Sequence, residues 1–385
     1  MAPDGAHRTP HRGTRVHVDV PSSPARPYDV VVGAGMLDTL PARLGAAAPA
    51  RAYAIVTPAP LADLYGSRLL ASLTAAGVDA HLLPIPDGEG HKTRATWADL
   101  TDRMLALRLG RDCAVVALGG GVTGDIAGFV AATYMRGVPV VQVPTTLLSM
   151  IDASIGGKTG VDTEAGQNLV GAFHPPRLVL VDPLLLRTLP PAELRSGMAE
   201  AVKHGAILDR AYFEQTARDA DAILSLDADA LERLVARSVE LKAAVVTEDP
   251  YERGRRAILN FGHTVGHALE RAAGYALPHG LAVAAGMVAE AALGEAVGIT
   301  EAGTAQRIDD VLRRFDLRVP IDLPAADVAD AMRLDKKARG GVPRFVLLRT
   351  IGACAPDTRG GWTHAVPDTE ALRAMELLHQ GGSAV

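Results

Sequence analysis

The chain has 385 residues, 48% of them hydrophobic and 22% charged, with a formal net charge of −5. That is ordinary globular composition, enough for two domains with real cores, and the negative balance argues against a nucleic-acid surface as the main role while leaving room for a local basic pocket. Only two cysteines occur, Cys113 and Cys354, each in apolar surroundings, which argues against a disulfide scaffold or a thiolate zinc site and suits a reducing compartment.

The first 14 residues are polar, rich in Pro, Gly and basic residues, and lack the apolar core of a signal peptide; they read as a disordered tail. Short apolar runs then alternate with helical patterns. Runs at 28–33, 52–56, 80–85, 113–118, 139–143 and 177–182 read as strands, and 60–77 and 95–110 carry apolar residues at helical spacing. Near-continuous apolar strands joined by helices imply a parallel sheet covered on both faces. Beyond 181–191 the pattern is mostly helical to about 335, with a short β-like run at 344–349. The expected boundary lies near 184, between an α/β domain (15–184) and an α-helical domain (185–385). The apolar stretch 281–299 contains Glu290 and Glu295, so it reads as a buried helix and not a membrane span. A cytoplasmic protein is expected.

Three loops follow strands and suit an anionic ligand. The strand at 113–118 runs into "GGGVTGD" (119–125) and then a helical pattern. Glycines there let the backbone approach a ligand, and a helix start offers free N–H groups to a diphosphate. The spacing is not the G-x-G-x-x-G dinucleotide fingerprint, and a plain strand-to-helix turn would explain it taken singly. The loop "DGEGHK" (87–92) carries Asp87, Glu89 and Lys92, and the segment 143–162 adds Thr145, Thr146, Asp152 and Lys158. Three such loops after three strands are more persuasive, because ligands of open α/β sheets bind at strand ends.

A metal site is a second expectation. The helical segment 196–207 places Glu200 and Lys203 on adjacent turns. Glu200, His204, His263, His267 and His279 are the candidate ligands, since two imidazoles and a carboxylate with an open position commonly hold catalytic zinc. Lone helical histidines are more often caps or satisfied polar contacts. Spacing alone favours His263 and His267 as the pair, one helical turn apart.

Taken in order, "GGGVTGD", "VPTTLLSMIDASIGGKTGVD", "SGMAEAVKHG", "RAILNFGHTVGHALE", "LPHGLAVAAGM" and "LDKKARGG" resemble the 3-dehydroquinate synthase family over roughly 28–365. The resemblance implies a Rossmann-like N-terminal α/β domain, a helical C-terminal domain, an active site between them, NAD, a divalent cation (Zn2+, with Co2+ as the alternative) and a homodimer. Carried over by position, the metal ligands would be Glu200, His263 and His279, with His267 turned instead to the substrate phosphate. Asn260 and Lys336 or Lys337 would join His267 there, and Arg136 would reach the phosphate from the partner subunit. Lys242 and Arg256 would meet the substrate carboxylate, and Asp152, Lys158, Asn168 and Lys203 its hydroxyls. The cofactor site would use Asp87, Gly88, Glu89, Lys92, Gly121, Val122, Gly124, Asp125, Thr145, Thr146, Lys158, Leu185 and Thr188. One departure occurs in "GQN": Gln167 stands where the family usually has lysine, so that contact near cofactor and substrate loses its charge.

The family reaction converts 3-deoxy-D-arabino-heptulosonate 7-phosphate to 3-dehydroquinate and phosphate. Transient oxidation by NAD acidifies a C–H, phosphate is eliminated, the ketone is reduced again, and an aldol step closes the ring. Rival readings are a related cyclase, acting on sedoheptulose 7-phosphate or making amino-dehydroquinate, and a net polyol-phosphate dehydrogenase. Arg256, Asn260 and the DKK lysines have the synthase identities, which favours the carboxylate-bearing substrate.

Overall fold

The computed structural model describes residues 27–321, 323–333 and 343–366; the tail 1–14, Lys336 and Lys337 lie outside them. Its first half contains strands β1 (Asp29–Val32), β2 (Ala52–Pro58), β3 (Asp79–Ile85), β4 (Cys113–Gly119), β5 (Val140–Pro144), β6 (Lys158–Thr163), β7 (Gly166–Phe173) and β8 (Leu178–Val181). Six of them form one sheet in the order β1-β8-β5-β4-β2-β3, and every pairing in it is parallel. Strands β2, β4, β5 and β8 are buried along their whole length. Their apolar runs show no alternation because neither face meets water.

One face packs on the Arg94–Ala106 and Gly121–Thr133 helices through Leu100, Met104, Ile126 and Val130. On the other face the core runs from Val141 and Val179 directly into Met198, Val202, Leu231 and Val235 of the Pro191–Leu208 and Ala228–Glu248 helices. A third apolar cluster, including Val265, Leu269, Ala282 and Leu293, joins the His263–Ala272 and His279–Ala296 helices. The C-terminal helices thus form one layer of the sheet's packing. Strand order reverses between β2 and β4, which puts a crevice at the carboxyl ends of those strands.

All six expected strands are present and lie in this sheet. The helical pattern over 60–77 divides into Ala59–Leu61, a π turn at Ala62–Gly66, and Ser67–Ala75. The run 344–349 becomes two short strands, Arg344–Phe345 and Leu348–Thr350, in separate two-stranded sheets. The antiparallel β6–β7 hairpin is an addition that the sequence reading lacks. Among the described residues, no helix is long and apolar enough to cross a membrane.

Candidate active site

The carboxyl end of β4 delivers Gly119 and Gly120 into the Gly121–Thr133 helix, whose N-cap Gly120 contributes no side-chain cap. Gly121, Val122 and Gly124 therefore sit on an open helix N-terminus, the geometry that receives a diphosphate. The neighbouring strand ends supply Thr145, whose N–H donates to Gly119 O at 2.9 Å, and Thr146. Lys92 is buried and bridges the loops, with Nζ 2.6 Å from Asp125 Oδ2 and 2.6 Å from Asn168 Oδ1. Asp87, Gly88 and Glu89 are exposed on the same loop. Burial raises the Asp125 pKa, and the nearby Asp162 carboxylate adds to the rise. Leu185 is buried in the Pro183–Thr188 turn, and Thr188 Oγ1 pairs with Tyr65 OH at 2.8 Å.

Beside this crevice lies a cavity of about 540 Å³ lined by Asp125, Asp152, Lys158, Asn168, Lys203, Lys242, Glu252, Arg256, Asn260, His263 and His267, among others. Asp152 comes from a π turn, Ser149–Ala153, a local widening that recurs at functional sites. Arg256 and Asn260 come from a 3-10 turn, Arg255–Asn260. Two lining residues, Asn168 (φ 56) and Glu252 (φ 55), hold left-handed backbone, a strain that structures keep mainly where a side chain must be aimed. Arg256 is buried against Gly156, where a Cβ would lie 2.3 Å from its Nη2. Gly156 also has φ +96, so glycine is required there on both counts.

Lys242 Nζ lies 2.6 Å from Asp152 Oδ1. Burial works against ionisation of Asp152, but Lys242, Lys203 and His204 more than offset it and hold its carboxyl well below the usual range. Burial, with the Lys203 and Arg256 cations nearby, lowers the Lys242 pKa. Glu252, absent from the sequence expectations, ion-pairs with Lys158 and accepts from Asn260 Nδ2 at 2.9 Å.

The candidate metal-ligating set is the clearest feature. Glu200 Oε1 lies 3.4 Å from His263 Nε2 and 3.8 Å from His279 Nε2. Among the described residues two groups bring three ligand atoms together: Glu200 with His263 and His279, and Asp152 with Glu200 and His204. The second already has the Lys242 ammonium against Asp152 and the Lys203 ammonium against Glu200. In the first, the Lys203 ammonium meets Oε2 of Glu200, while Oε1 faces the two imidazoles. Both Glu200 oxygens are buried without a hydrogen bond of ordinary geometry, as expected of a carboxylate shaped to hold an ion, and a set of two imidazoles and one carboxylate fits Zn2+.

Burial opposes ionisation of Glu200, yet the nearby Lys203, His263 and His279 hold its carboxyl well below the usual range. Burial also disfavours the His279 cation, but bonds to Glu200 and Glu270 raise its pKa to about 10.

Close helix packing assembles the triad. At Gly280 a Cβ would fall 2.4 Å from Ser196 Cα, and the Gly280 N–H donates to Ser196 Oγ at 3.1 Å. Ser196 is one helical turn before Glu200, so this contact carries His279 to the carboxylate. Each imidazole is oriented from behind, His263 Nδ1 by Phe261 O and His279 Nδ1 by Glu270 Oε1, both at 3.1 Å. Buried Glu290 accepts the N–H groups of Gly262, Thr264 and Val265 at 2.8–3.2 Å, fixing the N-terminus of the histidine-bearing helix. His267 packs on His263 with ring centroids 5.3 Å apart and lines the cavity, but stands outside the triad.

A family model for the N-terminal part of 3-dehydroquinate synthase matches residues 82–196, and one for its C-terminal part matches 197–338. The 3-dehydroquinate synthase of Pelobacter propionicus is 46% identical over 85% of this chain and 92% of its own length. The chain belongs to the 3-dehydroquinate synthase family. Among solved structures, a 2-epi-5-epi-valiolone synthase from Streptomyces hygroscopicus with NAD+ and Zn2+ bound superimposes with a TM-score of 0.84 at 31% identity, covering 94% of this chain and 100% of that one. A 2-deoxy-scyllo-inosose synthase complexed with carbaglucose-6-phosphate, NAD+ and Co2+ gives 0.84 at 27% identity, covering 92% and 96%.

Of the residues the family resemblance singles out, the cavity lining gathers Lys242, Arg256, Asp152, Lys158, Asn168, Lys203, Asn260 and His267, but only His263 of the three expected metal ligands; Glu200 and His279 are not part of that lining. Arg136 is exposed, in left-handed backbone (φ 67), and does not line this chain's own cavity. Gln167 is exposed on β7 and also outside the lining, while its neighbour Asn168 is within it. Sequence reasoning missed Glu252, Glu270 and Glu290. Glu270 had a signal: 263, 267 and 270 share one helix face.

Proposed function

We propose that this chain is a 3-dehydroquinate synthase, a carbon–oxygen lyase of the shikimate pathway that converts 3-deoxy-D-arabino-heptulosonate 7-phosphate to 3-dehydroquinate and phosphate. The observation that carries the reading is one cavity whose wall carries Lys158, Lys203, Lys242 and Arg256 together with His263, the member of the carboxylate-and-imidazole triad that reaches it, next to an open helix N-terminus. When bound, NAD takes up and returns a hydride, and the divalent cation held by Glu200, His263 and His279 polarises the hydroxyl being oxidised. The Gly121–Asp125 turn would hold the cofactor diphosphate, and Asp87 to Lys92, Thr145, Thr146, Leu185 and Thr188 would complete that site.

Lys203 and Asp152 orient that hydroxyl, and the Asp152 carboxylate takes up its proton for relay. Lys242 and Arg256 take the substrate carboxylate, the charge-assisted pairing that separates this substrate from sedoheptulose 7-phosphate. Lys158 and Asn168 fix the remaining hydroxyls. Asn260 and His267 hold the phosphate, joined by Lys336 or Lys337 and by Arg136 of a second copy, so the working unit is a homodimer. The departing phosphate can itself carry away the proton of the elimination, which removes the need for a further strong base. We place the division between the nucleotide and metal-bearing parts near residue 184, and the protein in the cytoplasm.

Phosphate release from the heptulosonate phosphate, compared with sedoheptulose 7-phosphate, tests the proposal. Turnover of the first alone is expected. Turnover of the second alone would replace the substrate assignment.

A further inference from the structure

His204 is completely buried, next to Lys203, and has no part in the chemistry above. Its Nδ1 lies 2.6 Å from Ser238 Oγ, and its Nε2 faces Asp152 Oδ1 at 3.7 Å with no other partner among the described residues. A carboxylate only accepts, so the nitrogen turned to Asp152 carries the proton, and Nδ1 accepts the Ser238 hydroxyl. Ser238 is itself fully buried. It precedes Lys242 by one turn of the Ala228–Glu248 helix, and His204 follows Glu200 by one turn of the Pro191–Leu208 helix. The imidazole therefore lies between the two helices that deliver Lys203 and Lys242, and it points at the carboxylate both lysines serve.

We infer that His204 is a positioning residue. Its tautomer is set by Ser238, and its Nε2–H, facing Asp152 Oδ1 across 3.7 Å, steers that carboxylate electrostatically into the orientation that receives the substrate hydroxyl proton. Lys242 pulls Asp152 Oδ1 from one side; without a second donor the carboxylate would swing toward that ammonium and away from the hydroxyl. The inference rests on the synthase reading only for what Asp152 does, not for the geometry that holds it.

The test compares His204→Phe, His204→Gln and Ser238→Ala with the wild type, each metal-loaded and supplied with NAD. Losing this polar contact with a charged carboxylate, longer than a hydrogen bond, corresponds to roughly a 10-fold loss in kcat. His204→Phe should show that loss with KM within about twofold, since Asp152 still contacts substrate but in the wrong orientation. Its metal content and Tm should match the wild type, and the isotope effect from deuterium at the oxidised carbon should rise. His204→Gln, whose amide N–H can reach toward Asp152, should recover most of the rate, and Ser238→Ala should lie between. Three results would overturn the inference: a His204→Phe rate within about twofold of wild type, equal losses in Phe and Gln variants, or a loss that tracks metal content or Tm. Running the series on whichever sugar phosphate the wild type turns over keeps a wrong substrate assignment distinct from a wrong role for His204.

Discussion

Nδ1 of His279 lies 3.1 Å from Oε1 of Glu270, on the side of the ring away from Glu200. The outer carboxylate fixes the ring's orientation and strengthens its basicity toward a cation at Nε2. Glu270→Gln should leave the fold intact and weaken metal affinity roughly 10- to 100-fold, measured by chelator competition. Unchanged affinity would remove Glu270 from the site.

The two histidines one turn apart should separate in their effects. His263→Ala and Glu200→Ala should lose bound metal on dialysis, because each takes one of three ligands from the set. His267→Ala should retain metal and raise KM for the phosphate-bearing substrate. A metal-free His267→Ala protein would return His267 to the ligand set.

Glu290 carries a stability prediction. Its buried carboxylate accepts three backbone N–H groups, and Glu290→Ala would leave them without acceptors in an apolar core. A loss of roughly 2–3 kcal/mol is expected by urea unfolding, with Glu290→Gln losing less.

Asp152 gives a pH dependence. Its folded pKa lies well below its ordinary value, despite burial, because of Lys242, Lys203 and His204. Such a group contributes stability that is fully present above the unfolded carboxylate pKa of about 3.9 and is lost as pH falls through the folded value. Asp152→Asn should therefore flatten the stability profile below about pH 4 relative to wild type. Parallel profiles in acid would contradict the pairing.

Cys113 should be inert to alkylation. Burial, aided by the charge of Asp112, pushes its thiol up to about 11. At pH 8 only about one thiol in a thousand is ionised, and the side chain is buried. Native protein should resist iodoacetamide and label only after unfolding.

The six sheet strands were legible in the sequence because a parallel sheet covered on both faces needs unbroken apolar runs, and "CAVVAL" or "RLVLV" can serve little else. The β6–β7 hairpin was not, since "GKTGVDTEAGQNLVGAF" is glycine-rich, largely exposed on β7, and shows no period of two. Local spacing favoured His263 with His267 as metal ligands, because a helix makes them neighbours. The imidazole grouped with His263 and Glu200 in a set that could hold a metal is instead His279, brought in by the Gly280–Ser196 contact between helices distant in sequence, and only the family resemblance had named it. Glu252 was missed because its role depends on a left-handed turn that aims it at Lys158 and Asn260.

The central claim is that a hydride moves within each cycle while no net oxidation occurs. The most direct measurement supplies 3-deoxy-D-arabino-heptulosonate 7-phosphate with NAD at about one equivalent per site, following phosphate, 3-dehydroquinate and nicotinamide absorbance together. The account predicts many turnovers, one phosphate for each 3-dehydroquinate, and no accumulation of NADH. Turnover that stops at one equivalent with NADH formed would contradict it and make the chain a dehydrogenase.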